Sequence, residues 1–163
     1  MTATPVPPPI RVRALRADDL DRLVAIDRAH VGRSRRRFLE KRLEMHAADP
    51  AESLQFGVDV KGRLAGFALA RVQRGEFGRT DSSAVIDVLG VDPASRGQGC
   101  GRALMDAITT EARARNLPRL HSQADWTMDE LLRFFAGAGF ALSSRLVIER
   151  PVAVPFDESP DEI

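Results

Sequence analysis

A chain of 163 residues that is 44% hydrophobic and 29% charged has the composition of an ordinary globular protein with one sizeable core. Its formal net charge of +1 argues against a dedicated nucleic-acid binder, so no nucleic-acid partner is expected. The single cysteine cannot form an internal disulfide. No run of about 18 apolar residues exists to span a bilayer, so no membrane partner is expected either.

The two ends of the chain are expected to lie outside the folded part. Residues 1–9 carry four prolines and little to bury, which predicts a flexible arm. Residues 155–163 form an acidic segment that is expected to be a loose tail. One domain is therefore predicted over residues 10–154. The first twelve residues lack the basic and apolar regions of a secretory signal, so a cytoplasmic location is expected.

The first half of the chain alternates between strand-like and helix-like apolar patterns. "IRVRAL" alternates like a strand, and helical spacing follows it twice. Two further strand-like runs flank Lys61-Gly62, a pair that suits a hairpin turn. The predicted elements are a strand at 10–15, a helix from Asp18 to about His30, a helix from about Ser34 to Ala47, and strands at 54–60 and 64–72.

The second half places one long strand before a glycine-rich turn. "AVIDVLGV" at 84–91 is the most strand-like segment of the chain. Beyond the turn we predict a helix over Arg102–Arg115 ended by Asn116, a strand in 117–124, a helix over 128–138 closed by Gly139, and a terminal strand or hairpin in 141–150. This order indicates an α/β fold with helices on both faces of one mixed sheet.

The turn in "VDPASRGQGCGRAL", residues 91–104, carries three glycines and two arginines. A strand that stops before glycines and a helix points free backbone N–H groups into the turn, which favours an anion. Glycine also lets a bulky diphosphate approach the backbone. A Walker loop is excluded because Arg102 and Ala103 follow Gly101, and the glycine spacing does not fit the Rossmann fingerprint.

The segment "RGQGCG" at 96–101 resembles the Arg/Gln-x-x-Gly-x-Gly/Ala motif of the GNAT superfamily of N-acetyltransferases, which holds the pyrophosphate of acetyl-CoA. "VLGVDPASRG" resembles the family's fourth strand and its link to the next helix, and "LLRFFAGAGF" resembles a later helix ending in Gly-Phe. The resemblance covers about residues 10–150. It implies a mixed, mostly antiparallel sheet of six or seven strands, with strands 4 and 5 splayed apart, flanked by about four helices.

The resemblance also implies how acetyl-CoA is held as a cosubstrate, with no metal. The pantetheine arm is expected to pair with the fourth-strand backbone at Leu89–Val91, and an N–H near Leu89 or Gly90 to polarise the thioester carbonyl. Gly90 fits a bulge at that place. Met128 and Phe135 align with positions where the family often has an asparagine and a tyrosine. The expected cofactor-binding residues are Leu89, Gly90, Val91, Arg96, Gly97, Gln98, Gly99, Cys100, Gly101, Arg102, Met128 and Phe135.

In the family an amine attacks the thioester directly in a ternary complex. An amine of pKa ~10.4 is neutral in roughly one molecule in 10³ at pH 7, so something must accept its proton. Asp87 is the first candidate, acting through water, although the family's acid often stands two places earlier, at Val85 here. The alternative for Asp87 is a structural carboxylate that bonds the neighbouring strand. Glu76 is the second candidate, with a solvated loop charge as its alternative.

The chain contains no tyrosine, and Phe135 stands where a tyrosine commonly protonates the departing thiolate. A thiol of pKa ~8.5 leaves readily without an acid, so catalysis is still expected. The predicted function is transfer of an acetyl group from acetyl-CoA to a primary amine of unknown identity. The alternative is a noncatalytic acyl-CoA-binding or regulatory module with the same fold.

Some remaining residues admit a functional and a structural interpretation. Arg33 and Arg35–Arg37 crowd the start of the second helix, where positive charge is unfavourable. They are expected to select an acidic acceptor, to meet a second copy in a homodimer, or to form a solvated face. Cys100 is interpreted as a small residue in a tight turn, His121 as a sheet histidine, and Asp125 with Trp126 as loop packing. The three histidines and one cysteine have no metal-ligand spacing.

Overall fold

The computed structural model describes residues 9–76 and 78–152. The predicted arm, apart from residue 9, and the predicted tail lie outside the described residues. The chain divides into two compact units, with the boundary between Met128 and Asp129. Each unit is described by itself.

The first unit carries three helices and five strands in the predicted order. The turn at Lys61 and Gly62 has φ of 52° and 76°, and Asn116 ends the third helix with φ of 56°, so both left-handed positions are confirmed. Pairing of the last strand begins only after Pro118, which has no N–H to donate. The elements are β1 Ile10–Ala14, α1 Leu20–Val31, α2 Arg36–Ala48, β2 Ser53–Val60, β3 Arg63–Arg74, β4 Ser82–Val91, α3 Cys100–Ala114 and β5 Leu120–Ser122.

The strands form one sheet in the order β1-β2-β3-β4-β5. The first three pairs are antiparallel, and β4 pairs with β5 in parallel. The predicted mixed, mostly antiparallel sheet is therefore confirmed. The predicted number of six or seven strands is wrong for the described residues, where the sheet has five.

Both faces of the sheet are covered by helices, as predicted. On one face Leu23 and Ile26 of α1 and Leu39 of α2 pack in a buried cluster with Phe67 and Leu69 of β3. The alternate residues of β3, Ala68 and Ala70, are also buried and face the other side. There α3 lies against the sheet and buries Leu104, Met105 and Ile108. The core thus holds β3 and β4 between α1 and α2 on one side and α3 on the other.

A β-bulge at Asp87 sets the geometry of β4. Leu69 pairs with Val88 and the next residue, Ala70, pairs with Ile86, so Asp87 is the extra residue. Pairing of β4 with β5 ends at Ile86. From Asp87 to Val91, β4 therefore has β3 on one side only, which is the predicted separation of strands 4 and 5. The expectation of a bulge at Gly90 is wrong, because the register shift falls three residues earlier.

The second unit contains α4, Asp129–Gly137. The Phe135 ring lies against Phe134 and Phe140, with centroid distances of 5.7 and 4.9 Å. Gly139 adopts φ of 86° just after the helix, as predicted. The predicted strand or hairpin at 141–150 is wrong: these residues form no strand, and Leu142, Leu146 and Ile148 are about nine-tenths exposed. Alternating apolar residues are compatible with a strand, but a strand in a sheet also needs a neighbouring strand to bond its backbone N–H and C=O groups.

Candidate functional site

The free edge of β4 presents the main chain of Leu89 and Val91. The Asp92 N–H donates to the Ala65 carbonyl of β3, with N and O 2.7 Å apart. In a trans peptide the preceding carbonyl points the opposite way, so the Val91 C=O faces away from β3. Strand alternation then turns Gly90 toward β3 and Leu89 toward the free edge. Of the two N–H groups expected near a thioester carbonyl, the geometry favours that of Leu89.

The bulge at Asp87 causes this orientation. Before the bulge, the Ala84 N–H donates to the Arg119 carbonyl and the Ile86 carbonyl accepts from the Ser122 hydroxyl, so the even-numbered residues face β5. One extra residue reverses the alternation, because the pattern repeats every two residues. Leu89 and Val91 therefore face the edge where β5 has ended.

Gly90 has a packing role in this strand. A Cβ at this position would lie 3.1 Å from the Phe67 Cε1 and 3.3 Å from the Ile26 Cγ2. These distances are tighter than ordinary contacts, so glycine allows α1 to approach β4 closely. The sequence analysis predicted a bulge at Gly90, whereas the structure explains this glycine by close packing against Phe67 and Ile26.

Asp92 directs the chain out of β4. Its Oδ1 accepts from the Ala94 N–H at 3.1 Å, and its Oδ2 pairs with Arg22 of α1. Arg22 also donates from Nε to the Leu64 carbonyl at 2.9 Å. The Ala94 hydrogen bond and the Arg22 cation lower the pKa of the Asp92 carboxyl. One 3₁₀ turn at Pro93–Ser95 follows and leads into the glycines.

The glycine turn places several amides at the start of α3. Gly97 and Gly99 have φ of 73° and 86°, a left-handed conformation that only glycine adopts without strain. The first bond of α3 runs from the Ala103 N–H to the Gly99 carbonyl at 3.0 Å. The amides of Cys100, Gly101 and Arg102 precede it, so they have no acceptor within the helix. They can receive an anion.

Few described residues lie close to this turn. Among residues 9–76 and 78–152, a Cβ at Gly97 would meet no atom within 4 Å, and one at Gly99 would meet the Ile10 Cδ1 at 3.7 Å. The left-handed backbone conformation therefore accounts for glycine at both positions. Arg96 and Arg102 are exposed beside the turn, and the buried Gln98 Oε1 has no hydrogen-bond partner among the described residues.

Cys100 is buried beneath the turn, with 2% of its surface exposed. Burial raises the pKa of its thiol, so the thiolate form that a nucleophile needs is disfavoured. These features agree with its interpretation as a small packing residue.

Asp87 makes ion pairs with two arginines on the α1 and α2 face. Its Oδ2 lies 3.0 Å from Nη2 of Arg42 in α2, and its Oδ1 lies 3.2 Å from Nε of Arg71 in β3. Arg42 also stacks over the Phe38 ring at 5.1 Å from the centroid. Both carboxylate oxygens are therefore engaged, and one partner belongs to the neighbouring strand. No sequence pattern marked Arg42, because it lies on a helix 45 positions before Asp87 in the chain.

Glu76 lies in the connection between β3 and β4, where it accepts a hydrogen bond from the Gln73 side chain. At that end of the hairpin Arg74 pairs with Ser82, five positions before Asp87. At about 3.3 Å per residue this is roughly 16 Å along the strand. The structure does not bring Glu76 to the free edge of β4.

Two arginines of the cluster at the start of α2, Arg35 and Arg36, are paired with carboxylates of α1. Arg35 donates from Nε and Nη2 to the buried Asp27 carboxylate at 2.9 and 2.5 Å, and this bond raises the pKa of Arg35. Arg36 pairs with Asp21 at 2.7 Å. The unfavourable position of the cluster at a helix start is thus offset by carboxylates of α1. Sequence reasoning found no structural cause for the cluster, and this ion pairing supplies one.

The structure places the remaining expected residues individually. His121 lies on β5 beside Val85, and Asp125 accepts from the Thr127 N–H and hydroxyl. Met128 is half exposed at the end of the first unit, whereas the Phe135 ring packs against its aromatic neighbours in α4. Their expected roles stay predictions.

His30, to which sequence reasoning gave no role, lies between the β4 edge and the glycine turn. Its Nε2 is 2.7 Å from the Val91 carbonyl oxygen, and its Nδ1 is 3.2 Å from Nη2 of Arg96. No sequence pattern marks this residue, because its partners lie more than sixty positions away.

The described ranges contain neither a membrane-spanning helix nor a cluster of metal ligands. Within residues 9–76 and 78–152, no helix combines the length and apolar character needed to cross a membrane. The same part of the chain holds no group of three or more metal-ligating side chains.

Comparisons with known proteins agree with this geometry. Mycothiol acetyltransferase from Propionibacterium freudenreichii subsp. shermanii is 31% identical over 145 residues, which cover 85% of this chain and 45% of that protein. Mycothiol acetyltransferase from Clavibacter michiganensis subsp. michiganensis is 36% identical over 129 residues, covering 74% and 40%. The chain thus spans less than half the length of these curated relatives.

A solved aminoglycoside N-acetyltransferase in complex with CoA has the same fold, with a TM-score of 0.77 at 14% identity over 91% of this chain and 99% of that one. The family model described as "Acetyltransferase (GNAT) family" matches residues 19–140, about three quarters of the sequence. The chain therefore belongs to the GNAT family of acetyltransferases.

Proposed function

We propose that this protein is an acetyl-CoA-dependent N-acetyltransferase that delivers the acetyl group directly to a primary amine. The observation that carries the proposal is the continuity of one main-chain surface. The edge-facing N–H and C=O groups of Leu89 and the N–H of Val91 lead within a few residues to the amides of Cys100, Gly101 and Arg102. A long ligand with amide groups at one end and a diphosphate at the other matches that surface.

Each part of this surface has a role in the proposal. The edge at Leu89 and Val91 pairs with the pantetheine amides, as an added strand would. The Leu89 N–H donates to the thioester carbonyl and stabilises the negative charge that develops there during attack. The α3 amides hold the diphosphate, and Arg96 and Arg102 supply positive charge beside it.

The proton of the attacking amine needs a destination. Of the two expected acceptors, only Asp87 is near the free edge, and its contacts with Arg42 and Arg71 support the structural alternative. We propose that Asp87 fixes these arginines on the acceptor side and that water removes the proton. The thiolate leaves without a dedicated acid, since a thiol of pKa ~8.5 is a good leaving group.

The acceptor class is proposed from the relatives. Mycothiol acetyltransferases are 31% to 36% identical over the matched regions described above. A small-molecule amine related to mycothiol is therefore the first acceptor to assay, ahead of peptide amines. A cytoplasmic location and a homodimer are proposed as well; fractionation and sedimentation of the purified chain test them.

A noncatalytic acyl-CoA-binding module is the second candidate, favoured by one observation. The chain has no tyrosine, and Phe135 occupies the position that aligns with the family's usual acid. This module would bind the thioester without a means to protonate the leaving group.

Turnover and binding measured together test both candidates. Titration with acetyl-CoA followed by calorimetry gives affinity, and release of free thiol across a panel of amines gives turnover. An acetyltransferase binds acetyl-CoA and releases thiol with at least one amine. Binding without thiol release across the panel favours the module, and absence of binding contradicts both candidates.

A further inference from the structure

His30 stands in the last turn of α1, exposed to solvent, between two parts of the proposed acetyl-CoA site. One ring nitrogen contacts the last residue of β4, and the other contacts the first residue of the glycine motif. The residue therefore links the free edge of the strand to the phosphate turn through a single side chain.

The two contacts give the ring nitrogens opposite hydrogen-bonding roles. A guanidinium has only donors, so the His30 Nδ1 accepts from Arg96. A carbonyl oxygen only accepts, so Nε2 donates to Val91.

The Val91 carbonyl is one of four groups that the edge could offer to a ligand. Because the His30 ring stands 2.7 Å from this oxygen, on the side from which an added strand would approach, the Leu89 N–H, the Leu89 C=O and the Val91 N–H remain for the pantetheine amides. The ring therefore ends the ladder at Val91 and defines the register in which an added strand can pair.

Arg96 gains a fixed direction from the same ring. An arginine side chain loses rotamer freedom when it binds an anion, and a preformed contact reduces that loss. The next residue after Arg96 is Gly97, which has no side chain that could pack against it. The His30 contact holds Arg96 against α1 in the absence of a ligand.

We propose that His30 is a positioning residue of the acetyl-CoA site, which ends the pantetheine ladder at Val91 and orients Arg96 for the diphosphate. This inference rests on the proposed function. It gives α1 a role in acetyl-CoA binding through His30, a residue that lies outside both the glycine motif and β4.

Calorimetric titration with CoA tests the proposal without knowledge of the acceptor. We expect His30→Leu to weaken CoA binding about three- to tenfold, the range for ordering one such side chain. His30→Gln should restore affinity to within about twofold, because its amide supplies a donor and an acceptor on one group. Since His30 is exposed, the melting temperature of both variants should stay close to that of the wild type.

A double-mutant cycle separates positioning from a general structural effect. If His30 acts through Arg96, His30→Leu should cost less affinity in an Arg96→Leu background than in the wild type. Equal affinity of wild type and His30→Leu would overturn the inference while leaving the proposed function intact. So would a Gln variant as weak as the Leu variant, or strict additivity of the two substitutions. A wild-type chain that binds no CoA would overturn the proposed function and this inference with it.

Discussion

The proposed phosphate side and the proposed acceptor side of the site are built from different parts of the chain. On the proposed phosphate side, between Leu89 and Arg102, the available groups belong to the main chain of one continuous segment. On the acceptor side, the groups are side chains that α2, β3 and β4 contribute separately, with Asp87 between Arg42 and Arg71. A main-chain site depends on local conformation, whereas a side-chain site depends on which elements the fold brings together.

The largest expected effect tests the main-chain side. Gly99→Val places a side chain at φ of 86°, which costs about 1–2 kcal/mol and distorts the turn that holds the α3 amides. We expect CoA affinity to fall at least tenfold in calorimetric titration. Gly62→Val is the matched control, because Gly62 has φ of 76° and open space but lies in the turn between β2 and β3.

The control should lose similar stability and retain CoA affinity. If both variants lose affinity equally, the effect comes from general destabilisation, and the main-chain account of the phosphate side is contradicted.

Asp87→Asn tests the acceptor side. Removing one partner from these ion pairs leaves Arg42 and Arg71 without their carboxylate, so we expect the free energy of unfolding to fall by about 1–3 kcal/mol. Chemical denaturation measures this change. In a double-mutant cycle with Arg71→Gln, the two losses should be less than additive.

The pH–rate profile distinguishes the two roles of Asp87. If the Asp87 carboxylate only positions its arginine partners, the pH–rate profile of Asp87→Asn should have the same shape as that of the wild type. Loss of an ionisation step together with a drop of about 10²–10⁴ in kcat would instead identify Asp87 as the proton acceptor.

Gly90→Ala tests whether close packing of α1 against β4, between the two sides, requires glycine at this position. The added methyl would approach Phe67 and Ile26 to 3.1 and 3.3 Å, so we expect about 1–3 kcal/mol of destabilisation in urea unfolding. The second substitution Ile26→Ala removes the Cγ2 methyl that the added Cβ would meet, so the losses from the two substitutions should be less than additive. A Gly90→Ala variant as stable as the wild type would show that α1 does not constrain β4.

The smallest expected effect is pH-dependent and concerns His46, in the last turn of α2. Burial, and secondarily the charge of Arg115, lower the pKa of His46, whose Nδ1 lies 2.7 Å from the Ser53 hydroxyl. The unfolded chain then binds more protons than the folded chain just below pH 6.5. The contribution of His46 to the free energy of unfolding is fully present above that pH. It is lost as the pH falls from 6.5 toward the lowered pKa of the folded state.

Thermal unfolding between pH 5 and pH 7.5 measures this dependence. His46→Asn should flatten it, while His30→Gln serves as a comparison from the phosphate side. A wild-type slope that survives in His46→Asn would show that another group carries the effect.

Sequence reasoning succeeded where conformation is local. Gly62, Gly97, Gly99 and Asn116 adopt the left-handed conformation that their residue types tolerate, and the helices follow their apolar spacing. The phosphate turn was therefore predictable as a segment with free amides. The two helix-covered faces were also predictable, because the strands are apolar enough to be buried on both sides.

The sequence by itself determined the order of the elements from β1 to α4 and the position of the glycine turn, because these follow from dihedral preferences and from the two- and 3.6-residue periods of the chain. Only the tertiary structure decided the rest. The bulge at Asp87, the exposed face of Leu89, the arginine partners of Asp87 and the bridge made by His30 all depend on registers and contacts between distant segments. Such contacts are selected by the packing of the whole core, and no local pattern encodes them.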